Sequence, residues 1–112
     1  MFYYPINEIL FYFFHNNISN YSAFDQRRID LVMGIGYDDD LAQARGILMD
    51  IMNSHPLVLS DPAPVVEVLE LTSSSVNLAV RPWSHTKDHF QARSELLEQI
   101  KLRFDEAGIN RL

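Results

Sequence analysis

Alternation of apolar and polar positions is clearest over residues 65–84. Val66 and Val68 fall on one face with Glu67 on the other, and Val76, Leu78 and Val80 fall on one face with Asn77, Ala79 and Arg81 opposite. A period of two marks half-buried antiparallel strands. The polar run Thr72-Ser73-Ser74-Ser75 between them supplies hydroxyls that bond nearby backbone and favour a turn. The alternation slips where Val68 and Leu69 are both apolar, and a bulge there would return Leu71 to the inward face. The same period recurs over residues 27–37, with Ile29, Leu31, Met33, Ile35 and Tyr37 on one face. Asp30, Val32, Gly34 and Gly36 take the other face, where the two glycines leave room for close approach.

Helical periodicity appears twice. Asp38-Asp39-Asp40 opens the first helix, since an acidic N-cap accepts from free amides and suits the positive end of the dipole. Leu41, Ala44, Leu48 and Ile51 then form an apolar stripe, widened by Ile47 and Met52, and His55-Pro56 closes it. Gly46 weakens this helix and is expected to allow close packing on the sheet. The second helix is expected over residues 87–107, burying Phe90, Leu97, Ile100, Phe104 and Ala107 with Leu96 alongside, and Gly108 caps its end. The order is strand, helix, strand, strand, helix. In a split βαβ arrangement the strand at 76–81 fills the gap left by the crossover, between 27–37 and 65–71. Both helices then cover one sheet face, with Leu48, Ile51, Leu97, Ile100 and Phe104 against Ile29, Leu31, Val66, Val68, Leu78 and Val80.

The N-terminal stretch 1–14 is aromatic, and residues 9–14 have high strand propensity without charge. It is expected to cover apolar surface or to pair at a sheet edge, in its own subunit or a neighbour. Residues 15–24 read as a polar connection. The expected division is an N-terminal segment over 1–24 and an α/β domain over 25–112.

Composition narrows the function. With 112 residues the chain is long enough for one domain with its own core. Fifteen acidic residues against nine basic ones, a net charge of -6, weigh against nucleic-acid binding, which needs a basic footprint. There is no cysteine, which excludes disulfides, thiolate metal sites and thiol nucleophiles. No run is long enough to span a bilayer, which takes about 20 apolar residues. The acidic triplet lacks the glycine and distal glutamate of a calcium loop. His85 and His89 stand four apart without a third ligand, and read as exposed histidines beside a helix start. Gly34 and Gly36 lack the third glycine of a dinucleotide loop, and no nucleophile–base arrangement is visible. No enzymatic activity and no cofactor or metal are expected. Trp83 reads as a packing anchor. Arg27, Arg28 and Arg81 form a basic set on or near adjacent strands, either a solvated, salt-bridged surface or a contact between subunits.

Residues 27–48, 76–84 and 96–109 together resemble the C-terminal cytoplasmic region of MscS-type mechanosensitive channels. The similarity rests on Arg27-Arg28, Gly34-Ile35, Tyr37-Asp38 with Asp40, Val80-Arg81 with Trp83-Ser84, and Arg103-Phe104-Asp105 with Gly108-Ile109, in the family's order. Residues 17–22 are similar to the end of the family's middle β domain. This resemblance implies an α+β fold, a ferredoxin-like split βαββα sandwich lacking its last strand, and a homo-oligomer, heptameric in the full-length family. It implies the cytoplasmic vestibule of an inner-membrane channel that opens under tension and releases small solutes. The pore helices, most of the middle β domain, the closing strand and the C-terminal barrel segment are not matched. The chain is thus expected to be a fragment of such a channel, cytoplasmic when alone and reaching the membrane only through pore helices it lacks. The alternative reading is a stand-alone ferredoxin-like module that binds a ligand or a regulatory partner.

Overall fold

The computed structural model describes residues 25–109. The expected segment 1–24, including the strand-prone 9–14, lies outside the described residues, as do 110–112. The elements run β1 Gln26–Arg28, β2 Leu31–Ile35, α1 Leu41–Ser54, β3 Val65–Leu71, β4 Val76–Arg81, β5 Trp83–His85, a short 3-10 turn Thr86–Asp88, and α2 His89–Ala107. The fold is α+β. One antiparallel sheet has the order β2-β4-β3, as the split crossover requires, and β1 pairs with β5 in a two-stranded ribbon.

The expected strand over 27–37 is therefore two strands, and the reason is Pro82. Gln26 pairs with His85 and Arg28 with Trp83, then Leu31 with Val80 and Ile35 with Val76. The register is unchanged across the gap, so Ile29 stands opposite Pro82 and Asp30 opposite Arg81. Proline has no amide hydrogen to give to the ladder, while its carbonyl still accepts from the Ile29 amide at 2.7 Å. One long pairing is thus interrupted rather than ended. The strand β5, missed in the sequence because it follows a proline, is its continuation.

The hairpin β3–β4 forms as expected. Thr72 Oγ1 accepts from the amides of Ser74 and Ser75 at 3.2 and 2.9 Å, and the Thr72 amide donates to the Ser75 carbonyl. The Tyr37 hydroxyl donates to the Thr72 carbonyl, tying the end of β2 to this turn. The ladder shifts between Val68 and Glu70, so Leu69 is the bulge. Two expectations fail here. Leu71 is 67% exposed and Val68 40%, although both stand opposite inward-facing residues of β4. Only Val66 of this edge strand is buried. Tyr37, beyond the end of β2, is exposed as well.

Both helices pack on one face of the main sheet. Ala44, Leu48, Ile51 and Met52 of α1 and Ala92, Leu96, Ile100 and Phe104 of α2 share one core with Ile29, Leu31, Met33, Ile35, Val66, Leu78 and Val80. In α2 the buried residues recur every four positions, a row that can seat in the grooves of a neighbouring helix. Leu97 lies about 100° from Leu96 around the axis and is only partly buried against the core. Phe90, on nearly the same line as Leu97 and at the first turn, is 80% exposed, which corrects the expected stripe. Leu41 is exposed too.

Local signals fix the helix ends. Asp40 Oδ1 accepts from the Gln43 amide at 3.1 Å and Asp39 Oδ2 from the Gly36 amide at 2.8 Å, so two members of the acidic triplet hold backbone. His55 takes extended angles before Pro56. Gly108 adopts φ 75, and the Ile109 amide returns to the Phe104 carbonyl at 2.9 Å. Gly46 does not approach the sheet: it is exposed, and a Cβ built there meets nothing within 4 Å.

Two stability predictions follow from the packing. In denaturant titrations Leu96→Ala and Ile100→Ala should each cost about 2–5 kcal/mol, and Phe90→Ala less than about 0.5 kcal/mol. Equal losses at Leu96 and Phe90 would show the stripe to be wrongly drawn. Gly46→Ala should raise stability by about 0.5–1 kcal/mol, since it improves helix propensity in open space.

Candidate functional site

The unbroken register places the three arginines. On one side of the long pairing stand Arg28, Asp30 and Val32, opposite Trp83, Arg81 and Ala79, and β3 adds Val65 opposite Arg81 and Glu67 opposite Ala79. This side faces away from the helices. Asp30 lies between the two guanidinium groups: Arg28 Nε is 2.7 Å from Asp30 Oδ1 and Arg81 Nε 3.8 Å from the same oxygen. Arg81 also reaches Glu67 at 4.0 Å. Arg28 and Arg81 are thus gathered on one surface by a carboxylate that the sequence reading did not single out. Its signal was available, since Asp30 is two residues from Arg28 on one strand face.

Arg27 is not part of that cluster. Alternation turns it to the other side of β1, with Ile29 and with Ser84, its cross-strand partner. There it acts on His89 at the start of α2. The His89 ring donates to the Arg28 carbonyl. His85 and His89 are half-buried rather than fully exposed.

The ion pairs on the open face are solvated: side-chain exposure is 46% for Arg28, 58% for Asp30, 34% for Arg81 and 64% for Glu67. Such pairs contribute at most about 1 kcal/mol each. They orient the guanidinium groups without saturating their donors. Around them Val32 is 56% and Val65 40% exposed, and Trp83 is half-buried. Ala79, at the centre, is buried to 3% beneath its larger neighbours, and Gly34 lies on the same face. The result is a shallow surface with apolar patches and charges of both signs, a composition suited to protein contact. Among the described residues no cluster of three metal-ligating side chains occurs, and no helix is long and apolar enough to cross a membrane.

The class defined so far is an α+β module with two helices on one sheet face and a mixed-charge surface on the other. The family described as mechanosensitive ion channel MscS, C-terminal, matches residues 29–110. An MscS family protein of Synechocystis is 41% identical over 95 residues, covering 85% of this chain and 32% of that protein. The small-conductance mechanosensitive channel of Edwardsiella ictaluri is 31% identical over 93 residues, covering 83% of this chain and 32% of that one. The crystal structure of Helicobacter pylori MscS in its closed state superimposes with a TM-score of 0.72 at 30% identity, over 77% of this chain and 34% of that one. The chain belongs to the MscS family of mechanosensitive ion channels. It spans about a third of the length of these relatives.

His89 gives this region a dependence on pH. Burial pushes its imidazole below the ordinary value of 6.5, the Arg27 charge adds to that, and the bond to the Arg28 carbonyl opposes it. As pH falls the unfolded chain binds the proton first, so the stabilisation is full above the unfolded value and lost as pH falls through the folded one. His89→Gln should flatten the stability profile between about pH 7.5 and about pH 5.5, read by denaturant titration at each pH. A variant profile parallel to that of the native chain would count against this role.

Proposed function

We propose that the chain supplies the cytoplasmic vestibule domain of an MscS-type channel. The observation that carries this reading is the family match across residues 29–110. The likeness of fold to Helicobacter pylori MscS supports it. On this reading the assembled channel opens under membrane tension and passes small solutes. Its pore helices hold it in the inner membrane, and this domain acts below them without catalysis or cofactor. Residues 1–24 form an N-terminal apolar segment and connection, a remnant of the middle β domain, whose end residues 17–22 resemble, and 25–112 form the α/β domain. Copies associate as a homo-oligomer, a heptamer in the complete channel. Arg28 and Arg81 meet a neighbouring copy through the open sheet face, and Arg27 through the other side of the ribbon. The support for that contact is local: exposed Val32 and Val65 lie among charges of both signs on one surface.

The test is a chimera in which residues 26–110, from the start of β1, replace the homologous segment of Helicobacter pylori MscS, expressed in bacteria lacking their own mechanosensitive channels. Cells carrying it should survive osmotic downshock, and Arg28→Glu with Arg81→Glu should lower survival and the yield of cross-linked oligomer. Loss of cells despite normal amounts of chimera in the membrane would overturn the vestibule reading. An unchanged cross-linking pattern in the double variant would overturn the interface alone.

A further inference from the structure

His55 closes α1 and opens the link to β3, and its side chain is 1% exposed. Both ring nitrogens are engaged. Nδ1 accepts from the Leu57 amide at 3.0 Å, and Nε2 lies 2.9 Å from Glu95 Oε1 on α2. An amide can only donate and an ionised carboxylate can only accept. The pair of contacts therefore selects one form of the ring, the neutral tautomer with its hydrogen on Nε2. The Leu57 bond is the histidine counterpart of an Asx turn, in which a side-chain acceptor takes the amide two residues on. It starts a chain of backbone bonds: the Val58 amide donates to the His55 carbonyl at 3.2 Å, and the Leu59 amide to the Trp83 carbonyl at 2.8 Å. The His55 ring thus joins three parts of the fold, namely the end of α1, the middle of α2 and the link that runs beside β5.

We propose that His55 is an acid-sensitive latch, whose second protonation keeps the contact with Glu95 but releases the turn at Leu57. A proton added to Nδ1 turns the acceptor into a donor that faces another donor at hydrogen-bond distance. The ring cannot make both original bonds in that form. Because Nε2 still donates to a carboxylate, the protonated ring stays on α2, and the link must give way. The charged group that faces the ring is Glu95, from α2; the link presents the Leu57 amide. No other ionic contact to the ring occurs among the described residues. The Glu95 carboxyl is held below its usual range chiefly by the hydrogen bond from Gln91 Nε2, at 2.9 Å; desolvation opposes this, and the contact with His55 adds to it more weakly. Leu57 and Val58 pack against the core from this link, so the change loosens a seam between the helix layer and the ribbon without unfolding either.

Amide hydrogen exchange on the full chain of 112 residues, followed by NMR, tests this without any substitution. Between about pH 7.5 and about pH 5.5 the protection of the Leu57 amide, corrected for intrinsic rates, should fall about five- to tenfold. The Leu78 amide in the central strand should keep its protection. Ring nitrogen shifts at the higher pH should report the form with hydrogen on Nε2. His55→Asn offers an oxygen that can hold the Leu57 amide and does not titrate, and its Leu57 protection should be the same at both pH values. Glu95→Gln should move the drop to lower pH, because the ring loses the anion that favours its protonation. The proposal is overturned by equal Leu57 protection at the two pH values, by hydrogen on Nδ1 at the higher pH, or by a drop that persists in His55→Asn. Should that variant not fold, the native chain's exchange and ring shifts decide alone.

Discussion

Pro82 has no amide hydrogen, and it stands opposite Ile29 near the middle of the longest strand pairing in the protein. The pairing would otherwise run from Gln26 and His85 to Ile35 and Val76 without a break. Losing one donor divides it into a ribbon and a sheet, yet the accepted bond from Ile29 keeps the two in register. That register sets which side chains share a face. Ile29 turns inward and is fully buried, while Asp30 falls opposite Arg81 and can lie between two guanidinium groups. The mixed-charge surface and the first layer of the core thus follow from the same interrupted ladder.

On the helix side, four-residue steps of small and large apolar groups do the organising. Ala44, Leu48, Ala92, Leu96, Ile100 and Phe104 are all buried in the one shared core. A cross-link on the surface reinforces the pair, from Arg103 on α2 to Asp50 on α1 at 3.1 Å. The pair is solvent-exposed and adds little to stability, so the helices are placed by packing. The His55–Glu95 contact differs, because the His55 ring is buried and has no water with which to replace a lost partner.

Much of this was legible in the chain. Period-two runs gave three of the strands and their order, the serine-rich turn gave the hairpin, and Asp40, Pro56 and Gly108 gave the helix ends. Each of those signals is local, and local chemistry decides it. What escaped was set by distance around an axis or along an edge. Apolar spacing alone did not separate Leu96 from Leu97, because both lie near the apolar side and only the sheet's position chooses between them. Val68 and Leu71 carry an inward pattern, but β3 is an edge and most of its inward side stays exposed. The arginines were visible as a set. Their division into Arg28 with Arg81 on one face and Arg27 on the other needed the register through Pro82, which no composition argument supplies. His55 was read only as a helix stop, since its partner Glu95 is forty residues away.

The bulge at Leu69 has a meaning beyond the hairpin it interrupts. An edge strand bearing Val65, Val68, Leu69 and Leu71, all at least 40% exposed, is the kind of template along which chains stack without limit. The extra residue bends the strand and breaks the even spacing of the amides and carbonyls that no described strand pairs. Glu67 and Glu70 add like charges that would meet their own copies across any such stack. On the proposed reading, in which copies of this domain stand side by side, preventing the wrong contact matters as much as making the right one, and the irregular strand would keep association finite.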